Sequence, residues 1–197
     1  MSDPLLVVDL EATCWSEQDP ARPAPPEGCR YANEIIEIGA LLVETARWTP
    51  LRSFQTFVRP VDHPTLTPFC TGLTHITQAQ VDGAPAFPAA LSALLAAFRL
   101  APGAIFTWGS WGRYDLLQLR SDCRRHGLPD PLANARHRNL KEEAAAALGL
   151  RPQGIAGTLA HLGHPFDGVR HRALEDVRNI LRIFQQITAQ TPTLATH

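Results

Sequence analysis

Two acids within the first dozen residues are placed to do chemistry. In Leu5-Leu6-Val7-Val8-Asp9-Leu10-Glu11, five of the first six residues are apolar and carry no helical period. That is the pattern of a strand buried on both faces. The two-residue repeat of a strand puts Asp9 and Glu11 on one face and Leu10 on the other. Two anions at the end of a buried strand are costly unless something compensates them. A hard divalent cation does so well, because Mg²⁺ prefers carboxylate oxygens and water. The plainer reading is a strand that simply emerges into solvent at Asp9.

Three residues far down the chain have the same character. Asp115 follows a second short apolar run, just beyond a strand's carboxyl end, where α/β sheets place ligands. Equally, it suits the first turn of a helix, where the dipole favours an acid. Asp176 lies in the first turn of a final helix whose apolar stripe is Leu174, Val177, Ile180, Leu181, Phe184 and Ile187. It stands in line with Ile180, Ile183 and Ile187, so it faces inward and needs a partner. His171 is five residues earlier, about 140° away on a continuous helix. It reaches the same place only from a loop after Gly168. In such a loop a histidine is either solvated or part of the site. With an ordinary pKa of about 6.5, imidazole can remove a proton from an attacking water near neutral pH.

Several elements must position these groups. The first strand is followed by a proline-rich loop over residues 16–33, with Pro20, Pro23, Pro25 and Pro26, expected to be mobile. Glu34–Val43 reads as a strand and Phe54–Val58 as its hairpin partner. Residues 60–84 read as irregular. A helix from Pro85 carries Phe87, Leu91, Leu94, Leu95 and Phe98 on one face. Gly103–Trp108 reads as a buried strand, Gly109–Gly112 as a turn, and a helix with Leu116, Leu119 and Cys123 then runs to about Gly127. Asn139 with Glu142 opens an alanine-rich helix over 140–148, closed by Gly149. A short helix is expected over 156–162 and the last over about 173–188. Leading strands and later interleaved helices give an α/β or α+β layered domain. Residues 1–188 form it, and 189–197 are a frayed tail.

Composition narrows the classes. The chain has 197 residues, 45% of them hydrophobic and 19% charged, as in a single globular domain. No apolar run approaches the ~20 residues that cross a bilayer, and a secretory signal is not seen, so a cytoplasmic protein is expected. Cys14, Cys29, Cys70 and Cys123 are too far apart for a zinc knuckle and read as free thiols. The net charge is −1; setting aside the four acids named above leaves 15 acids against 18 basic residues. That balance permits a polyanionic partner without requiring one.

Together these stretches resemble the three motifs of the DEDDh exonucleases. They are Asp9-Leu10-Glu11-Ala12-Thr13-Cys14, then Asp115 after a Trp-Gly turn, then His171-Arg172-Ala173-Leu174-Glu175-Asp176. The first motif is similar to that of the Eri-like and 3′ histone-mRNA exonuclease group, as are Asn33–Glu37 and Phe69–Gln78. The resemblance spans about residues 4–187. It implies a ribonuclease-H-like α/β fold with a five-stranded mixed sheet flanked by helices. It implies 3′–5′ exonuclease activity on single-stranded nucleic acid, RNA rather than DNA, with no membrane partner. It makes Asp9, Glu11, Asp115 and Asp176 ligands of two divalent ions, Mg²⁺ or Mn²⁺, and His171 the general base. It places the terminal nucleotide against Glu11, Ala12, Leu73, His75 and Ile76. On the residues alone, Ile76 equally reads as core and His75 as solvated. Tyr114 stands where the histone-mRNA enzyme has tryptophan, and the loop 16–33 is longer than in that group. A DNA-directed proofreading enzyme and a non-catalytic regulatory binder on the same fold are the alternatives; five filled positions favour catalysis. The oligomeric state is not legible.

Overall fold

The computed structural model describes residues 4–101 and 105–190. The expected strand start at Gly103–Ala104 and the tail 191–197 lie outside these. Five strands form one mixed sheet: β1 (Leu5–Ala12), β2 (Ile35–Glu44), β3 (Thr49–Phe57), β4 (Thr107–Ser110) and β5 (Arg136–Asn139). Their order is β3-β2-β1-β4-β5. β1, β2 and β3 pair antiparallel, whereas β4 runs parallel to β1 and β5 parallel to β4. The first acid pair is therefore on the central strand. No described helix is long and apolar enough to cross a membrane.

The period of two decides which layer meets the acids. Leu6, Val8 and Leu10 pack with the helices α3 (Phe87–Ala97) and α4 (Tyr114–Arg125) on one face. Leu5 and Val7 pack on the other, against α5 (Leu140–Leu148) and α7 (Ala173–Gln190). Asp9 and Glu11 continue the odd-numbered row, so they leave the sheet on the α7 side. α7 crosses β2 closely. A Cβ built on Gly39, the register partner of Asp9, would lie 2.4 Å from the backbone carbon of Ala173. Only glycine admits this contact, and it brings the start of α7 down beside Asp9.

Other elements differ from their sequence reading for identifiable reasons. β4 starts at Thr107, and Ile105 is 90% exposed. Gly109 and Ser110, read as a turn, are strand residues because the ladder aligns Val7 with Gly109 and Ser110 with Asn139. β5 was not anticipated. Its sequence, Arg-His-Arg-Asn, lacks apolar alternation, as a charged edge strand does. The segment 60–84 holds two short helices, α1 (Pro68–Thr74) and α2 (Gln78–Asp82). Thr77 and Gln80 form a reciprocal capping box, a legible signal that the many prolines and glycines obscured. The short helix of 156–162 is α6 (Ile155–His161).

The loop 16–33 has no regular structure, as expected, but its C-terminal end, residues 28–33, is tied down. Ser121 Oγ accepts the backbone N–H of Arg30 and of Tyr31. Arg125, paired with Asp122, donates to the carbonyls of Tyr31, Ala32 and Asn33. One face of α4 is thus polar and buried in order to hold this loop.

Gly39→Ala is expected to destabilise the protein by about 1–3 kcal/mol, since overpacking forces backbone apart. Gly72→Ala, whose Cβ meets nothing within 4 Å, is expected to cost nothing measurable. Urea unfolding of the two variants reads the contrast, and equal midpoints would contradict the close approach.

Candidate active site

Each acid is placed by a specific backbone demand. β1 extends past its last pairing with β4 at Val7, so the edge of Leu10 on that side lacks a strand partner. The Leu10 N–H instead donates to Asp115 Oδ1 at 3.0 Å. Asp115 is in the first turn of α4 and is buried; its own amide and nearby Ser110 oppose the rise in its pKa that burial causes. Ser110 Oγ donates to the Gly112 carbonyl at 3.0 Å and lies 2.9 Å from His137 Nε2 on β5. Asp176 is buried in the first turn of α7, where the nearby amides of His171 and Arg172 oppose the rise in its pKa. The free amides of a helix start are what stabilise it there.

His171 lies in the loop before α7, in the left-handed region at φ 59°, and is exposed. That backbone turn brings its ring toward the acids. Ligand atoms of Glu11, His171 and Asp176 all lie within 4.8 Å of one another. Asp9, Glu11, Asp115, His171 and Asp176 line one cavity of about 400 Å³. The five positions singled out in the sequence are thus together in space.

The electrostatics are those of a patch short of positive charge. Burial, then the charge of Asp115, Glu11 and Asp176, raises Asp9 well above the carboxylate range. Burial followed by Asp176 and Glu37 pushes Glu11 to about 9. Burial takes Asp176 to about 7, and takes Asp115 to about 6 against the hydrogen bonds that oppose it. Such groups titrate together. The donor set is all hard oxygen, and the cost of its ionisation is what divalent cations remove. The residues therefore fit such a cation. For His171 the direction is downward, from burial first and then from Arg170 and His75, which favours the neutral ring.

The residues expected to touch a terminal nucleotide fare unequally. Leu73, at 37% exposure, and His75 are on the surface of α1 and its C-terminal cap. Ile76 is 0% exposed and packs with Ile36, Leu66, Cys70 and Val81, so the core reading of this residue is the right one. It belongs to the floor beneath α1. Ala12 is buried, and its carbonyl accepts from Cys70 Sγ at 3.8 Å, which leaves it backbone contacts at most. Trp111, with Nε1 bonded to the Gln153 carbonyl, lines the cavity with Tyr114, an exposed residue.

The sequence reading passed over Glu37 as a working group. It is 0% exposed within β2 and accepts from Arg172 Nε and Nη2 and from the Ala173 N–H, each at 3.1 Å. This pins the chain immediately after the turn that aims His171. The signal was present: an acid inside Ile-Ile-Glu-Ile, a run with no solvent-facing side, requires a buried partner.

Comparison with known proteins agrees with this geometry. The model of the RNase_T family, described as Exonuclease, matches residues 6–184, and the chain belongs to that family. It is 30% identical over 201 residues to "ERI1 exoribonuclease 2" of Danio rerio, covering 93% of this chain and 34% of that protein. It is 28% identical to "3'-5' exonuclease eri1" of Schizosaccharomyces pombe (strain 972 / ATCC 24843), over 94% of this chain and 68% of the relative. The chain spans between 27% and 34% of the length of the ERI1 exoribonuclease 2 relatives. Among solved structures, the nuclease domain of 3'hExo, a DEDDh family member bound to rAMP, aligns with a TM-score of 0.78. Sequence identity there is 28%, over 92% of this chain and 89% of the other. The five-stranded mixed sheet with flanking helices is the ribonuclease-H-like fold of these enzymes.

The raised acids carry a pH signature. Their folded pKa values exceed the unfolded ones, so between about pH 4 and pH 9 the folded state binds more protons. Metal-free stability must then fall as pH rises through that window. Thermal melting in chelator is expected to show this fall, and Asp9→Asn is expected to melt higher than wild type at pH 8. A flat profile, or a lower melting point for the variant, would contradict the crowding of the acids.

Proposed function

We propose that this chain is a divalent-metal-dependent 3′–5′ exonuclease that removes nucleoside 5′-monophosphates from the 3′ ends of single-stranded RNA. One observation carries the reading: Asp9, Glu11, Asp115, Asp176 and His171 share one cavity at the carboxyl end of the central strand. Several similar proteins are named exoribonucleases, and a similar structure is described as 3'-end recognition of histone mRNA stem-loop. The exonuclease domain runs through α7 to Gln190, two residues beyond the expected boundary at 188, because Ala189 and Gln190 continue the helix. Free thiols at all four cysteines suit a reducing, cytoplasmic setting.

In this reading Asp9, Glu11, Asp115 and Asp176 hold two divalent ions, Mg²⁺ or Mn²⁺. Bound there, such a pair neutralises the scissile phosphate, acidifies the attacking water and stabilises the leaving oxygen. The chain's own residues do the rest. His171, shifted toward its neutral form, takes the water proton as the oxygen attacks phosphorus. The bond from phosphorus to the 3′ oxygen of the preceding nucleotide breaks; that oxygen takes a proton from solvent to become the new 3′-hydroxyl, the 5′-monophosphate leaves, and the imidazolium returns its proton to solvent. Glu37 and Arg172 fix the turn that orients the imidazole, so little reorganisation is needed during the step. Leu73 and His75 flank the terminal nucleotide, with Ile76 supporting them from below.

The test uses 5′-labelled single-stranded RNA and the same sequence as DNA, each with Mg²⁺, Mn²⁺ or chelator. A ladder shortening by one nucleotide from the 3′ end, faster on RNA and abolished by chelator, is expected. His171→Ala is expected to lose about 100-fold or more in turnover while binding Mn²⁺ as wild type does. Uncut RNA with either metal would refute the nuclease reading, and comparable turnover in the variant would remove His171 as base.

A further inference from the structure

The cavity at the acids is lopsided. Leu73 and His75, the exposed candidates for the terminal nucleotide, are not part of its lining. It extends instead across Trp111, Ile155, Phe166 and Arg170. Trp111, Ile155 and Phe166 pack onto the core cluster beneath α7, so this wall is rigid. The guanidinium of Arg170 lies over the Phe166 ring, 5.9 Å from its centroid. Among the described residues Arg170 has no carboxylate partner, whereas its neighbour Arg172 is engaged by Glu37. Arg170 is the cation that lines the cavity.

Charge decides what such a wall receives. A nucleic acid cut near its 3′ end has two unlike sides. Beyond the scissile phosphate in the 3′ direction there is one nucleoside ending in neutral hydroxyls. In the 5′ direction there is a nucleoside followed by another phosphate. A cation at the far end of the cavity complements only the second side. Flat aromatic faces beside it suit an unpaired base of any sequence. The whole cavity, acids included, is about 400 Å³, so it can hold a nucleoside along this wall beside a phosphate at the carboxyl groups.

We infer that the wall formed by Trp111, Phe166 and Arg170 receives the nucleotide on the 5′ side of the scissile bond, with Arg170 meeting the phosphate that precedes it. This subsite rests on the exonuclease reading and extends it. It makes the last two nucleotides, rather than the last alone, the unit that the site grips. Arg170 adjoins His171 in sequence, so holding that phosphate also braces the turn that carries the imidazole.

The test pairs a change in the protein with a change in the substrate. Two oligouridines carry a 2′-O-methyl sugar at the same position. In one, the second phosphate from the 3′ end is a neutral methylphosphonate. Release of the first 3′ nucleotide is followed with Mg²⁺ for wild type, Arg170→Ala and Arg170→Lys. Wild type is expected to lose about tenfold in kcat/KM on the neutral analogue, as expected for a lost charge-assisted contact. Arg170→Ala is expected to process both substrates at the slower rate, its ratio falling to about one, with Arg170→Lys between. A wild-type ratio retained in Arg170→Ala, or a wild type indifferent to the substitution, would overturn the subsite. Wild type that releases no nucleotide from the unmodified oligouridine would instead defeat the exonuclease reading itself.

Discussion

Four carboxyl groups gathered at the end of one buried strand are the constraint around which this molecule is built. Left to themselves they would repel one another and seek water. The fold keeps them in place through its backbone. Asp115 satisfies an amide that β1 exposes once β4 has ended, and the amides at the start of α7 offset part of the cost of burying Asp176. Asp9 and Glu11 have no such choice, because their direction follows from the alternation that buries Leu5 and Val7. The arrangement holds anionic groups close without paying for their ionisation in full, and a cation supplies what is lacking.

The junction of β2 with α7 shows how the site is tied to the core. Gly39 lets the backbone of Ala173 rest on the sheet, and Glu37, two residues away, grips Arg172 and the Ala173 amide from below. A buried ion pair of this kind contributes little net stability, since desolvation offsets most of its attraction. Its value is in orientation. It fixes a left-handed turn at His171 that no glycine is present to ease. On the opposite flank, the polar face of α4 fastens the long loop behind Tyr31, which packs 5.4 Å from Tyr114, next to Asp115. Both flanks are held by ion pairs whose acid, Glu37 or Asp122, is buried.

Much of this was legible in the amino-acid sequence where one physical signal dominated. The unbroken apolar run of β1, the stripe of α7 and the Asn139 and Gly149 caps of α5 each specify their element locally. The four acids stood out at the ends of apolar elements, and it was their order along the chain with His171, matching the exonuclease motifs, that made the five legible as a set. The failures have causes as definite. β5 exists because β4 offers it a parallel edge, which its own Arg-His-Arg-Asn cannot announce. Ile76 looked available because its neighbours are polar, yet α1 and α2 fold over it. The loop 16–33 looked free because its anchor, Arg125, lies nearly a hundred residues away.

The account rests on the carboxyl groups acting jointly on cations, and anomalous diffraction addresses that directly. Crystals grown with Mn²⁺ and a nucleoside 5′-monophosphate are expected to show two manganese peaks, roughly 3.5–4 Å apart. Both should lie among Asp9, Glu11, Asp115 and Asp176, with the His171 ring facing the phosphate. Manganese absent from this cluster, or bound only elsewhere on the surface, would contradict it.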